Sequence, residues 1–312
     1  MKAVLLALTL AVPVSAATGK TEAPKLFPKT AFSLPQVKGM RLDWVLPPID
    51  QPEKAREATA ESGFAVDPHG NPWFGNGPRR LFLSPKQDLV FRTMGQFQSF
   101  AFAGGTDLVA CDDDYLVSPT LPDKPKYENG APLMDMVGMV KLDHGDCRLF
   151  PAGPHGLYLV LRDGDGRDVI TLIVSRRGSR AKFRRFLRVA GPGITALSGD
   201  GDRTYYAEGK SIYEFKMGAK KPVLFFDAPD EVRSLAYSAR TGLFYATTKV
   251  VGFASRKFQM ELITSPDPQI ALRGPDLFIR LSRTLAVLKL SAADQIKYLR
   301  WPSDKKTPAR GK

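Results

Sequence analysis

The sequence predicts an all-β fold, a six-bladed β-propeller, on two observations. From Phe64 onward, short apolar runs are separated by turn residues about every eight to twelve positions, the texture of an all-β domain. These runs also recur in groups of four with a period of roughly forty residues, the size of a four-stranded blade. A fixed period dictates the architecture, because one blade exposes too much apolar surface to stand alone and its copies must bury their faces on one another.

Composition agrees with a packed core. Of 312 residues 43% are hydrophobic and 25% charged, which excludes a disordered or fibrous chain. After the N-terminus no apolar run reaches the ~18 residues of a bilayer span, so no integral membrane span is expected. The formal net charge of +13 favours acidic partners.

Residues 1–16 are expected to be a secretion signal. Met1 and Lys2 form a basic start, residues 3–12 are apolar, Pro13 breaks the run, and Val14, Ser15 and Ala16 are the small residues a signal peptidase reads. Cleavage near Ala16 would deliver a secreted or periplasmic protein, and no Cys follows that site to carry a lipid. In such a compartment Cys111 and Cys147 suit a single disulfide, two buried free thiols being the alternative.

Residues 17–62 read as an extended Pro-rich arm, punctuated by Pro24, Pro28, Pro35, Pro47, Pro48 and Pro52. The propeller is expected over 63–301, with units at 62–97, 98–151, 153–191, 192–228, 229–265 and from 266 onward. The clearest pair, 192–228 and 229–265, begins 37 residues apart, and the second unit is enlarged by a loop over 118–135. In the last unit the four strands are expected at Ile270, Leu277, Leu285 and Ile296. Residues 302–312 form a basic tail expected to be disordered.

In the first unit, Phe64-Ala-Val-Asp67-Pro68-His69-Gly70-Asn71-Pro72-Trp73-Phe74 followed by Arg80-Leu-Phe-Leu resembles the strand-turn-strand signature of NHL-repeat, TolB-like and gluconolactonase-like propellers. Leu235-Ala-Tyr-Ser238-Ala-Arg-Thr241-Gly242-Leu243-Phe244-Tyr245 is similar, with Thr-Gly in the turn. The gluconolactonase-like members imply a central metal held by Glu, Asn and Asp at the blade mouths. This chain departs from that pattern: it has three Asn, of which only Asn76 is placed to serve, so a metal-dependent lactonase or hydrolase stands as the alternative function rather than the first.

Other catalytic signatures fail. There is no Gly-x-Ser-x-Gly elbow, and His69, His144 and His155 lack zinc-protease spacing. Gly209-Lys210-Ser211 resembles the end of a phosphate loop, but Thr204 stands where its first glycine must be. No cofactor is expected, with one exception: Asp112, Asp113 and Asp114 follow a second strand and are candidate ligands for calcium, a hard ion that wants six or more oxygens. The acidic stretch Asp163 to Asp168 lacks the glycine and closing Glu of a calcium loop and reads as a solvated hairpin turn.

Aligning the units by their first strands places Ser62, Gln98, His155, Thr195, Arg233 and Gln269 near the start of the innermost strands. They would form a polar ring around the channel, facing water or a small ligand. Arg176, Arg177, Arg180, Lys182, Arg184, Arg185 and Arg188 form a basic run without a carboxylate, on what should be the outer hairpin of a blade. It is expected to contact an anionic envelope polymer, the alternative being a solvated edge whose charge keeps strands from pairing. The function expected from these features is that of an exported, monomeric binding or scaffold module, with a protein partner or small ligand at the propeller face.

Overall fold

A computed structural model describes residues 41–44 and 63–289, except 68–69, 71, 76–79, 83–89, 93–96, 104–106, 113–114, 121–123, 125, 129–130, 143–146, 154–155, 175–181, 190–192, 201, 257 and 282–283. The described strands form six four-stranded antiparallel sheets and one small ribbon. Strand β1 (Arg41–Trp44) stands apart in sequence from the blade it joins. The first blade holds β2 (Phe64–Val66), β3 (Pro72–Gly75), β4 (Arg80–Phe82) and β5 (Val90–Arg92). The second holds β6 (Phe97–Ala103), β7 (Asp107–Asp112), β8 (Tyr115–Thr120) and β11 (Asp135–Lys141), with the ribbon β9 (Tyr127–Glu128) and β10 (Ala131–Pro132) inserted before its last strand. The third comprises β12 (Arg148–Pro151), β13 (Gly156–Arg162), β14 (Asp168–Val174) and β15 (Lys182–Val189). The fourth comprises β16 (Ala196–Gly199), β17 (Arg203–Glu208), β18 (Ser211–Lys216) and β19 (Val223–Asp227). The fifth comprises β20 (Val232–Ser238), β21 (Gly242–Thr247), β22 (Val250–Ser255) and β23 (Phe258–Thr264). The sixth orders as β24 (Gln269–Arg273), β25 (Asp276–Leu281), β26 (Thr284–Lys289) and then β1.

Each first strand touches the first strands of two neighbours, in the cyclic order β2, β6, β12, β16, β20, β24 and back to β2, so the sheets close into a wheel. The central strands carry continuous apolar runs rather than alternation, because both faces of a blade are covered. On β13, Leu157 and Leu159 pack towards the second blade while Tyr158 and Val160 pack towards the fourth. One apolar layer lies at each of the six junctions, the largest between the fifth and sixth blades around Phe244, Phe253, Leu277 and Ile279. Each fully buried Leu or Phe in these layers contributes about 1.5 to 3 kcal/mol of apolar burial.

Turn chemistry fixes the hairpins. Gly70 takes a positive φ of 85° and its amide donates to the Asp67 carbonyl at 3.0 Å, while the Trp73 indole donates to the Asp67 carboxylate at 3.3 Å. Gly242, at φ 92°, closes the first hairpin of the fifth blade, and an added Cβ would lie 2.7 Å from the Phe253 ring.

Two expectations need correction. The strand expected at Ile296 lies outside the described residues; among those described, the strand that flanks β26 is Arg41–Trp44, antiparallel with Arg41 opposite Lys289 and Trp44 opposite Ala286, so part of the expected arm belongs to the wheel. The third blade begins at Arg148 rather than after Gly153, since the short β12 pairs inside β13 and takes the position next to the channel.

Cys111 and Cys147 are joined, with a Cα–Cα distance of 5.8 Å, and both are buried in the layer between the second and third blades. The bond closes a sequence separation of 36 residues. By loop entropy alone, replacing both with Ser should lower stability by roughly 3 to 4 kcal/mol. Equilibrium denaturant unfolding of the double variant checks this, and an unchanged midpoint would refute it.

Candidate functional site

In an antiparallel meander the connections between blades emerge at the same end as the second hairpin of each blade, so the innermost strands all start at one face of the wheel. Of the six expected ring residues, Gln98, Thr195, Arg233 and Gln269 lie in or beside the first residues of innermost strands. Ser62 and His155 lie outside the described residues, and His155 falls between β12 and β13, not at the start of an innermost strand. The apolar run from Leu157 to Leu161 belongs to the second strand of its blade, so the alignment there was one strand out of step. Gln98 is the second residue of innermost strand β6, and its side chain is outside the description. Thr195 immediately precedes β16, and both its amide, at 2.9 Å, and its hydroxyl, at 3.3 Å, donate to the Ala207 carbonyl. Arg233 lies at a register shift in β20, exposed and ion-paired with Glu231 at 3.0 Å. Gln269 opens β24 and accepts from the buried Arg280 guanidinium at 3.0 Å; burial lowers the Arg280 pKa to about 10.

A second polar set, absent from the sequence reading, links the innermost strands to one another. Ser99 Oγ accepts from the Leu149 amide at 3.0 Å, Ser198 Oγ accepts from the Tyr237 amide at 3.0 Å, and Ser234 Oγ accepts from the Ile270 amide at 3.2 Å. Ser234 Oγ also donates back to the Ile270 carbonyl at 3.1 Å. Each serine thus satisfies main-chain groups on the next blade, where no ladder partner is available. Ser99 and Ser234 directly follow the expected ring residues Gln98 and Arg233, and a register shift falls at each place, between Phe97 and Ser99 and between Val232 and Ser234. The repeated Ser-Phe-Ala at 99–101 and Ser-Leu-Ala at 234–236 was the available signal. Ser234→Ala should cost about 1 to 3 kcal/mol by leaving the Ile270 amide without its acceptor, as measured by urea unfolding, while an Arg233→Ala change should cost far less.

The described carboxylates hold architecture together. Asp168, 1% exposed, accepts from Arg148 at 2.9 Å, from Arg162 at 3.4 Å and from the Ile194 amide, tying the third blade to the segment entering the fourth. Glu214, 4% exposed, pairs with Arg256 from the fifth blade and with Arg203 at 4.0 Å, and accepts from the Tyr205 hydroxyl at 3.3 Å. Burial, with Glu214 adding to it, pushes the Tyr205 phenol up, and burial also pushes Tyr245 up to about 12. Asp163 accepts from the amides of Asp165 and Arg167, each at 3.0 Å, which makes the 163–168 stretch a hairpin turn as expected. Asp112 ends β7, while Asp113 and Asp114 lie outside the described residues. Among the described residues no three His, Cys, Asp or Glu side chains come together as a ligand set.

Asp230 shows what such pairing does to titration. Lys249 at 2.8 Å, the Glu231 amide at 2.8 Å and the Thr248 hydroxyl at 3.0 Å hold its carboxyl well below the usual carboxylate range. A folded pKa below the unfolded value gives stability that is present above about pH 4 and lost as the pH falls further. Asp230→Asn should therefore melt lower than the wild type at pH 7 and converge with it towards about pH 2, a difference followed by calorimetry across that range.

Four residues of the basic run lie on a described strand. Lys182, Arg184, Arg185 and Arg188 lie on β15, the outermost strand of the third blade, which among the described residues is bonded only to β14. A register shift between Ile170 and Thr171 interrupts that pairing. Arg176, Arg177 and Arg180 precede it and lie outside the described residues.

No family model matches the chain, and no curated protein matches it in sequence. Among solved structures, selenomethionine-substituted virginiamycin B lyase from Staphylococcus aureus superposes with a TM-score of 0.51 at 10% identity, over 81% of this chain and 100% of that one. The chain is a β-propeller. At that identity the likeness extends to the fold alone, so any role for the propeller must be argued from its own side chains. No helix among the described residues is long and apolar enough to cross a membrane.

Proposed function

We propose that this β-propeller is an exported, non-enzymatic binding module, a scaffold that presents its face to a protein or small ligand and the outer edge of its third blade to an anionic polymer. The observation that carries this reading is the placement of Lys182, Arg184, Arg185 and Arg188 on a strand that, among the described residues, is hydrogen-bonded on one side only. Guanidinium groups donate in a fixed fork that suits phosphate, sulfate and carboxylate groups, and several on one strand reinforce one another on a polyanion. The absence of any carboxylate from residues 176–188 leaves that field uncompensated within the run. The leader-like residues 1–16 and the bond between Cys111 and Cys147 support export, since disulfides persist in oxidising compartments.

Retention on immobilised heparin is the test. The wild type should elute late, with a steep dependence on salt, and Arg184→Glu with Arg185→Glu should elute markedly earlier at an unchanged melting temperature. Equal retention of the two would overturn polymer contact. The metal-dependent hydrolase reading rests on Asp112, Asp113 and Asp114. A rise of several degrees in melting temperature with calcium, abolished by Asp113→Asn with Asp114→Asn, would favour it over a module without a cofactor.

A further inference from the structure

The outer strand of the fourth blade, on a different surface from the basic edge, has an unusual makeup. β19 reads Val-Leu-Phe-Phe-Asp, without a charge before Asp227, and among the described residues it bonds only to β18. The outer strand of the neighbouring third blade, by contrast, carries four cations. Val223 is 58% exposed and Leu224 51%, and Met217, on the hairpin that leads into the strand, is 38% exposed. An exposed apolar strand edge is a template for pairing with another chain; Lys220, Lys221 and Pro222 lie just before this one, while Val223 to Phe226 carry neither charge nor proline.

The strand is also fixed in position on its inner side. A register shift sets Ile212 opposite Phe226 and Tyr213 opposite Leu224, leaving Phe225 as the extra residue. Phe225 packs edge-on against Tyr205, with ring centroids 5.1 Å apart, and Phe226 packs against Tyr245 at 5.1 Å. Two consecutive rings thus anchor β19 to the layer facing the fifth blade, while Val223 and Leu224 stay in solvent. Just before the strand, Lys216, Lys220 and Lys221 are exposed.

We propose that β19 is a docking edge for an extended acidic and apolar peptide segment of a partner protein, which adds as a fifth strand to the fourth blade. Main-chain hydrogen bonds to the open edge would supply register, the partner's apolar side chains would cover Val223 and Leu224, and its carboxylates would meet Lys220 and Lys221. In an antiparallel addition those carboxylates lie at the C-terminal end of the segment, beside the residues that precede β19. Charge selects this occupant over residues 302–312, with Lys305, Lys306, Arg310 and Lys312 against Asp304 alone, and over residues 17–40, with Lys20, Lys25, Lys29 and Lys38 against Glu22 alone, while the acidic residues 45–62 are tied at both ends, to β1 in the sixth blade and β2 in the first.

The probe is a short fluorescein-labelled peptide of alternating valine and threonine that ends in two glutamates, titrated against the full chain by fluorescence anisotropy. Saturable binding should be accompanied by slowed amide exchange across Val223–Asp227. Val223→Glu with Leu224→Glu, and separately Lys220→Glu with Lys221→Glu, should each weaken binding by about tenfold or more. Circular dichroism and melting temperature should not change, because all four side chains are exposed. A peptide with prolines in place of the threonines should not bind, since it cannot complete a ladder. The proposal is overturned if the peptide fails to saturate, if its lysine-ended counterpart binds as well, or if exchange slows elsewhere. It is equally overturned if, without peptide, the edge is protected with rising protein concentration while sedimentation shows a dimer, the result that would make a second copy the occupant.

Discussion

Every blade of this protein depends on two neighbours, because its sheet is apolar on both faces and neither face can be left in water. Tyr158 and Leu157, adjacent on one strand, belong to different layers, one shared with the fourth blade and one with the second. The same division recurs at Tyr205 and Tyr206 on β17. This mutual cover makes the wheel cooperative: removing one blade would expose two layers at once, and it explains why polar groups at the junctions are so thoroughly matched. The Tyr158 hydroxyl meets Thr204 Oγ1 at 2.8 Å within the apolar layer, and Glu214 is held by arginines from two blades.

Much of this was legible in the sequence, unevenly and for physical reasons. The units at 192–228 and 229–265 emerge as whole blades because their hairpins are short and their turns carry the residues those turns require, such as Gly242. The third unit was read one strand late. Arg148–Pro151 is brief and includes a proline, whereas Leu157 to Leu161 forms a conspicuous apolar run, and conspicuous runs mark the centre of a blade rather than its inner edge. The partner of β26 could not be read locally at all. Nothing in Arg41-Leu-Asp-Trp44 announces a strand, and its pairing spans most of the chain.

The candidate site fared differently from the fold. Periodicity locates a strand but does not say which neighbour a given side chain reaches, so Gln98, Arg233 and Gln269 were chosen for their polarity while Ser99, Ser198 and Ser234 make the contacts across the channel wall. Charge runs were more transparent, because the fourth strand of a blade is always its rim. Two adjacent rims then differ in kind: the sequence of β15 holds four cations, while β19 presents hydrocarbon with lysines at one end. Such neighbouring contrasts let one rigid ring offer chemically distinct surfaces without altering its interior.

The strand at Arg41–Trp44 carries a consequence for biogenesis. It emerges from the ribosome more than two hundred residues before the β26 edge it completes, judging by the separation of Arg41 and Lys289. The sixth sheet therefore stays unfinished until nearly the whole polypeptide has been synthesised, and a long-range closure of this kind is slow to form. A nascent chain of this kind cannot lock its ring before the last blade has been made.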